Sequence, residues 1–383
     1  MKITIIGWYG TETIGDRAIL AGLLSILSKS YDDLEIFLGS LYPFFSERTI
    51  YEDYNFWKEI TGREIKVTIF NSKNPKELDR NIIKSNLVCV GGGPLMDLNE
   101  LFMVDYAFKK AKKINKKTAV LGCGIGPLFY NKYKKVVLEI IKNSDFVILR
   151  DSTSKNNLLE IANELKIDID EDIILTSFDL AVECTIQYNR LNPQVKKDYI
   201  AVNLREFPME YSKKGGNNDI NNEIERFIAD LADGYQNNII HLVPMHYFHV
   251  GNDDRVFLNR IAGKIKKNNI EVQNCHLSLK NTISVFQNAV FNIGMRFHSV
   301  VIQTMTNGNN YVLDYTEPQK GKISGFLKDI DHDGFYKNRY ISLQDNLIDA
   351  TIINGSENRF IFNKNSLNKK INLYTERLKE IKL

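Results

Sequence analysis

The residues best placed to do chemistry form one short run, Gly294-Met295-Arg296-Phe297-His298-Ser299, set between apolar stretches at 283–293 and 300–302. That setting predicts a strand end followed by a helix start, with His298 or Ser299 close to the first helical turn. Arg296 and His298 lie two apart, so in a locally extended segment both side chains leave on the same side. A guanidinium fork and an imidazole beside a helix N-terminus suit a small anion carrying phosphate or carboxylate. Taken alone, the run fits equally well a surface ion pair at Arg296 and a satisfied loop histidine at 298.

Other loops carry the same kind of signal. Residues 3–6 are a β-branched run, as expected of a strand buried on both faces of a parallel sheet. Gly7, Gly10 and Gly15 follow, and then a helix from about Arg17 with Ile19, Leu20, Leu23, Leu24 and Leu27 on one face. Strand, glycine-rich turn and helix form a phosphate-binding layout, although the glycine spacing is not the dinucleotide fingerprint. Asp16, at the helix start, is a candidate proton acceptor or simply an N-cap. A strand at 87–90 opens into Gly91, Gly92 and Gly93, which are expected to line a cleft rather than to serve packing. A strand at 118–121 opens into Gly122, Gly124 and Gly126, and one at 145–149 into Arg150-Asp151-Ser152. Ligands of open α/β sheets bind outside the carboxyl ends of the strands, so these loops should gather at one crevice.

The elements that position these residues read as repeated β/α units in two halves. The first half runs from 1 to 182. The polar, irregular stretch 183–198 reads as a linker, and a second half from 199 to 365 restarts with a strand at 199–205. Residues 206–222 read as a mobile loop. A strand at 239–243 ends in Pro244-Met245-His246-Tyr247-Phe248-His249, with Asp253 and Asp254 beyond. A charged amphipathic helix at 366–383 is expected to pack back on the first half. The expected fold is therefore α/β, with two Rossmann-like parallel-sheet domains facing across a cleft in a GT-B-like arrangement. The first would serve the acceptor and the second the donor.

Size and composition narrow the classes. A chain of 383 residues exceeds one ordinary core. A net charge of +3 and the lack of a dense Lys/Arg run with interleaved aromatics argue against nucleic acid. No stretch approaches the ~18 apolar residues of a membrane span, which leaves at most peripheral membrane contact. The first residues read as a strand and not a signal peptide, and the four cysteines are scattered, so a cytoplasmic protein is expected. His246, His249 and Asp253 could hold a metal only on a helical segment, which Pro244 opposes; they are better read as pocket or acceptor-side residues, and no metal is expected. Residues 329–334 imitate half a calcium loop but lack its closing Glu. Neither a nucleophile elbow nor a P-loop occurs.

What remains is a basic set at strand ends: Arg150, Arg296, His298, and Lys320 or Lys322. At this point the chain resembles the polysaccharide pyruvyltransferase family. The resemblance rests on Gly15-Asp16 with Ala18-Ile19-Leu20, Gly91-Gly92-Gly93, Gly124-Ile125-Gly126-Pro127 and Arg150-Asp151-Ser152. It continues through Asp179-Leu180-Ala181, Arg296-Phe297-His298-Ser299 and Lys322-Ile323-Ser324-Gly325-Phe326, in the family's order over nearly the whole chain. It implies a GT-B-like enzyme that moves the enolpyruvyl group of phosphoenolpyruvate onto a sugar, free or lipid-linked, leaving a pyruvate ketal and phosphate. It implies a donor held by Arg150, His298 and Lys322, with Arg296 joining them and no cofactor. The sequence departs from the family pattern at Thr13, where an asparagine is common, and after Tyr315, where the longer segment leaves Lys320 as the alternative to Lys322. A nucleotide-sugar glycosyltransferase, or a lapsed member that only binds glycans, are the competing readings.

Overall fold

The computed structural model describes residues 1–208, 211, 217–248, 252–317, 320–344, 348, 353 and 356–381. The chain divides into two units. One comprises Met1–Glu12, Asp16–Gln187 and Asn363–Leu383, the other Thr13–Gly15 and Tyr188–Phe362.

The first unit is a sheet of β1 (Lys2–Ile6), β2 (Glu35–Ser40), β3 (Lys66–Asn71), β4 (Leu87–Gly91), β5 (Pro94–Leu95), β6 (Lys117–Ile125), β7 (Phe146–Leu149) and β8 (Ile174–Thr176). The order is β3-β2-β1-β4-β6-β7-β8, with β5 on β6, and every pairing is parallel. Ile3, Ile5 and Ile6 are fully buried, as a strand covered by helices on both faces demands. Helices α1 (Ile14–Ser30), α2 (Pro43–Thr61), α3 (Pro75–Lys84), α4 (Leu101–Lys113), α5 (Asn131–Lys142), α6 (Ser152–Leu165) and α7 (Leu180–Leu191) make the crossovers.

Three expectations need correction here. Helix α1 starts at Ile14, so Asp16 stands in the first turn and not at the cap, accepting from Thr11 Oγ1 at 3.0 Å. The stretch 183–191 is helical and not irregular, and the change from the first unit to the second falls inside it, between Gln187 and Tyr188. Its polarity is turned inward: buried Glu183 accepts from Ser25 Oγ, Lys29 Nζ and Gln187 Nε2 at 2.5–2.9 Å. The glycines at 91–93 and 124 are buried packing positions. A Cβ on Gly91 would fall 2.5 Å from Leu23 Cδ2, on Gly92 2.1 Å from Ile19 Cγ2, and on Gly93 2.2 Å from Trp8 Cδ1. Gly124 lies inside β6, where a Cβ would meet the Arg150 guanidinium at 2.5 Å. Only Gly126 is partly accessible; it follows the end of β6 and donates to Leu95 O.

The second unit carries β9 (Tyr199–Asn203), β10 (Ile239–Leu242), β11 (Ile270–Val272), β12 (Asn292–Gly294), β13 (Asn310–Asp314) and β14 (Tyr340–Ser342), in the order β11-β10-β9-β12-β13-β14. These pairings too are all parallel. Helices α8 (Asn217–Gly234), α9 (Asp254–Ile265), α10 (Leu279–Asn288), α11 (Phe297–Thr306) and α12 (Lys322–Ile330) connect them. Chain order reverses between β9 and β12, the switch point at which such sheets place ligands. Part of the expected loop at 206–222 falls outside the described residues. Of the rest, Phe207 is buried and α8 begins at Asn217.

Helix α13 (Lys364–Lys379) joins the first unit. Leu367, Ile371, Tyr374 and Leu378 repeat at helical spacing and are buried, and Tyr374 Oη donates to Phe178 O at 2.6 Å.

Candidate functional site

The second unit holds a small, half-open pocket lined by Thr13, Gly15, Met245, His246, Arg296, Phe297, His298, Tyr315 and Lys322. Its floor is the switch point. Asn203, the last residue of β9, donates from Nδ2 to Val243 O at 2.9 Å and accepts the Arg296 amide on Oδ1 at 3.0 Å. Its carbonyl accepts Met295 N at 3.1 Å. One buried side chain therefore ties together the ends of β9, β10 and β12.

Arg296 ends the extended segment and caps α11, so the helix starts at Phe297 and His298 stands in its first turn. The fork of Arg296 is set by Asp254, the first residue of α9, which accepts from Nε at 2.8 Å and from Nη2. Asp254 Oδ2 also takes the Met245 and His246 amides at 3.0 Å each, so one buried carboxylate fixes both the arginine and the loop beside it. Two donors of the guanidinium are spent on Asp254, and Nη1 has no hydrogen-bond partner among the described residues.

His298 is half-buried beside Gly15, where an added Cβ would fall 2.0 Å from Nδ1. The segment carrying Gly15 is held by Ile14 N donating to Met245 O at 2.9 Å and by a bridge between Thr13 and His246. Here glycine is required for close approach and not for φ.

Tyr315 follows β13 and is 3 % exposed. Lys322 Nζ lies 5.7 Å and the Arg205 guanidinium 5.1 Å from its ring centre. Burial alone would push the Tyr315 phenol up, but Lys322, then Arg205 and Arg296, hold it below the ordinary value of 10.0. Lys322 is the first residue of α12, and among the described residues it makes no ion pair. Lys320 is exposed and pairs loosely with Glu317 at 4.0 Å, so the lysine at the pocket is Lys322. Neither α11 nor α12 has a side-chain cap on its first-turn amides, which therefore add to the positive potential.

Arg150 lies in the first unit, 4 % exposed, with Nε 3.2 Å from Asp151 and Nη1 3.8 Å from Asp179; its charge is answered where it sits. Asp16 also belongs to the first unit, His246 lines the pocket, and His249 lies outside the described residues. Arg205, Tyr315 and Asp254 were not among the candidates. Position after a strand could have flagged the first two. Asp254 gave no signal beyond its place at a helix start.

A model of the polysaccharide pyruvyl transferase family matches residues 14–318. The chain belongs to that family. Residues 294–299, inside the matched range, supply Arg296 and His298 to the pocket. No curated protein matches the chain. Among solved structures, it resembles Methanocaldococcus jannaschii UDP-GlcNAc 2-epimerase bound to UDP-GlcNAc and UDP. The TM-score is 0.57 at 16% identity, over 98% of this chain and 100% of that one. A trehalose-6-phosphate synthase, OtsA, gives 0.55 at 12% identity over 99% of each chain. S. aureus MnaA with UDP gives 0.53 at 12%, over 99% of this chain and 90% of that one. With two parallel-sheet α/β units of this kind, the family member has a GT-B-like fold.

Proposed function

We propose that the protein transfers the enolpyruvyl group of phosphoenolpyruvate to a sugar of a cell-surface polysaccharide or its precursor, at the cytoplasmic side. The observation that carries this reading is the pocket itself. Arg296, Lys322 and the first turns of two uncapped helices line one small, half-open pocket, with Arg205 beside it. Phosphoenolpyruvate, with a carboxylate and a phosphate on one small frame, has the charge such a pocket favours.

In the reaction, the C3 methylene gains a proton and becomes a methyl group, and the C2–O bond to phosphate breaks. Two sugar hydroxyl oxygens bond to C2. Of their two protons, one balances the methyl group and the other leaves with phosphate. Arg296 Nη1 and Lys322 hold the anionic groups, and His298, in the first turn of α11, donates to the bridging oxygen as phosphate departs. No electrons leave the reactants, so the chemistry calls for no redox cofactor.

The test is phosphate release with phosphoenolpyruvate and a panel of acceptor glycans, with His298→Ala as control and calorimetry for donor binding. Donor-dependent phosphate lost in His298→Ala is expected. Neither turnover nor phosphoenolpyruvate binding overturns the reading. Stabilisation by UDP but not by phosphoenolpyruvate would instead favour a nucleotide-sugar transferase, as would fit the UDP seen in the two structural neighbours.

A further inference from the structure

A surface of the first unit differs sharply in charge from the rest of the chain. Residues 101–143, from α4 through α5, contain ten lysines, no arginine, and only Asp105 and Glu139 as acids. Because the whole chain carries +3, everything outside this segment is net negative. Helix C-termini favour lysine, which accounts for Lys110, Lys112 and Lys113 in the last turn of α4. It does not account for Lys132, Lys134 and Lys135 in the first turn or so of α5, where basic side chains oppose the dipole.

The lysines share this surface with exposed aromatic side chains, of which Tyr106 donates from Oη to Asp79 Oδ1 at 2.7 Å. Phe129 is 66 % and Tyr130 62 % exposed, just before α5, and Phe102 and Tyr106 are 44 % and 42 % exposed on α4. Phe102, Tyr106, Lys109 and Lys113 fall on one stripe of α4, and Lys132, Lys135 and Lys142 on one stripe of α5. The two helices lie side by side. Phe102 and Tyr130 both approach Tyr133, at 5.8 and 6.4 Å between ring centres, and Lys109 reaches Glu139 at 3.2 Å. The outcome is one outer face with aromatics at the helix starts and cations along the shafts. Lys109 is answered by Asp105 and Glu139, Lys110 by Asp79, Lys134 by Glu164, and Lys112 and Lys117 by Asp145. Lys113, Lys132, Lys135 and Lys142 make no ion pair within 4 Å among the described residues.

We propose that this α4–α5 face docks on an anionic lipid bilayer. The occupant follows from the chemistry. Lysine is a mobile point charge suited to a diffuse negative surface, whereas recognition of discrete phosphates favours the arginine fork, and this face has none. Exposed Phe and Tyr at one edge suit the boundary between headgroups and acyl chains. Among the described residues no helix is long and apolar enough to cross a membrane, so the contact is peripheral. A lipid-linked acceptor would be met at such a surface, but the docking does not depend on the transfer reaction.

The test is co-sedimentation of the full chain with vesicles of phosphatidylcholine alone and of phosphatidylcholine with phosphatidylglycerol. Binding only to the anionic vesicles, weakened by salt, is expected. Lys113→Glu with Lys135→Glu should lower partitioning about twenty-fold or more. Phe129→Ser with Tyr130→Ser should remove the part that survives high salt. Both variants should melt as the parent does. Equal binding to neutral vesicles, parental binding by both variants, or binding to a soluble polyanion such as heparin or RNA without vesicle binding would overturn the proposal. A chain that sediments but does not turn over phosphoenolpyruvate leaves it standing.

Discussion

The α-carbon of Gly15 stands so close to His298 that a methyl group placed on it would lie 2.0 Å from Nδ1. The imidazole occupies the space that any other residue at 15 would claim. Gly15→Ala should therefore move His298 without weakening α1, since alanine is favoured over glycine in a helix by about 1 kcal/mol. The expected result is at least a ten-fold loss in phosphate release with an unchanged circular dichroism spectrum. Unchanged turnover in this variant would show that the position of His298 is not critical.

Asp254 is the counterpart of Arg296. Asp254→Ala strips a buried guanidinium of its partner and should cost about 3–5 kcal/mol in urea unfolding. Asp254→Asn keeps an acceptor for the Met245 and His246 amides and should cost less, yet still weaken phosphoenolpyruvate binding by calorimetry because the fork is no longer fixed. If Asp254→Asn bound the donor as the parent does, orientation of Arg296 would not matter.

Tyr315 should ionise below the ordinary tyrosine value of 10.0. Burial drives Tyr9, Tyr31, Tyr336 and Tyr374 upward, whereas Lys322, Arg205 and Arg296 overcome burial at Tyr315 and pull it down. A depressed folded value means stability that is fully present above the unfolded value of about 10 and lost as pH falls through the folded one. An ultraviolet titration of the folded protein should show an early tyrosinate absent from Tyr315→Phe. The stability gap between parent and variant should widen as pH rises toward 10. A gap that narrows over that range would contradict the arrangement.

Gly92→Ala tests packing instead of chemistry. The new methyl would press to 2.1 Å from Ile19 Cγ2 at a position with φ of +69°, and should destabilise the fold by roughly 2–4 kcal/mol. Phosphoenolpyruvate binding at temperatures where the variant stays folded should be unaffected. Selective loss of binding without loss of stability would return Gly92 to a ligand-lining role.

Periodicity and strand-end position carried the architecture, because a buried parallel strand leaves an unbroken apolar run such as 3–6 and its loop begins where the run stops. The same reasoning failed where the decisive contact is distant in sequence. Nothing near Gly92 reveals that Ile19 fills its missing side chain, and nothing near Glu183 reveals Ser25 and Lys29 waiting for it. Arg150 and Arg296 look alike as arginines after strands. Only the tertiary structure shows that Asp151 and Asp179 answer the first, while Asp254 holds the second beside a pocket.

Assignment of α13 to the first unit has a consequence for synthesis. The chain passes Gln187, leaves that unit, builds the whole of Tyr188–Phe362, and only then supplies Asn363 onward. At ribosomal speeds of 5–20 residues per second the interval is roughly 10–35 s. For that time Phe178 lacks the Tyr374 hydroxyl, Tyr31 lacks the Leu378 carbonyl, and the apolar seat of α13 is bare. The nascent protein should recruit holding chaperones in that window, and a ribosome stalled just before Asn363 should yield a protease-sensitive first unit.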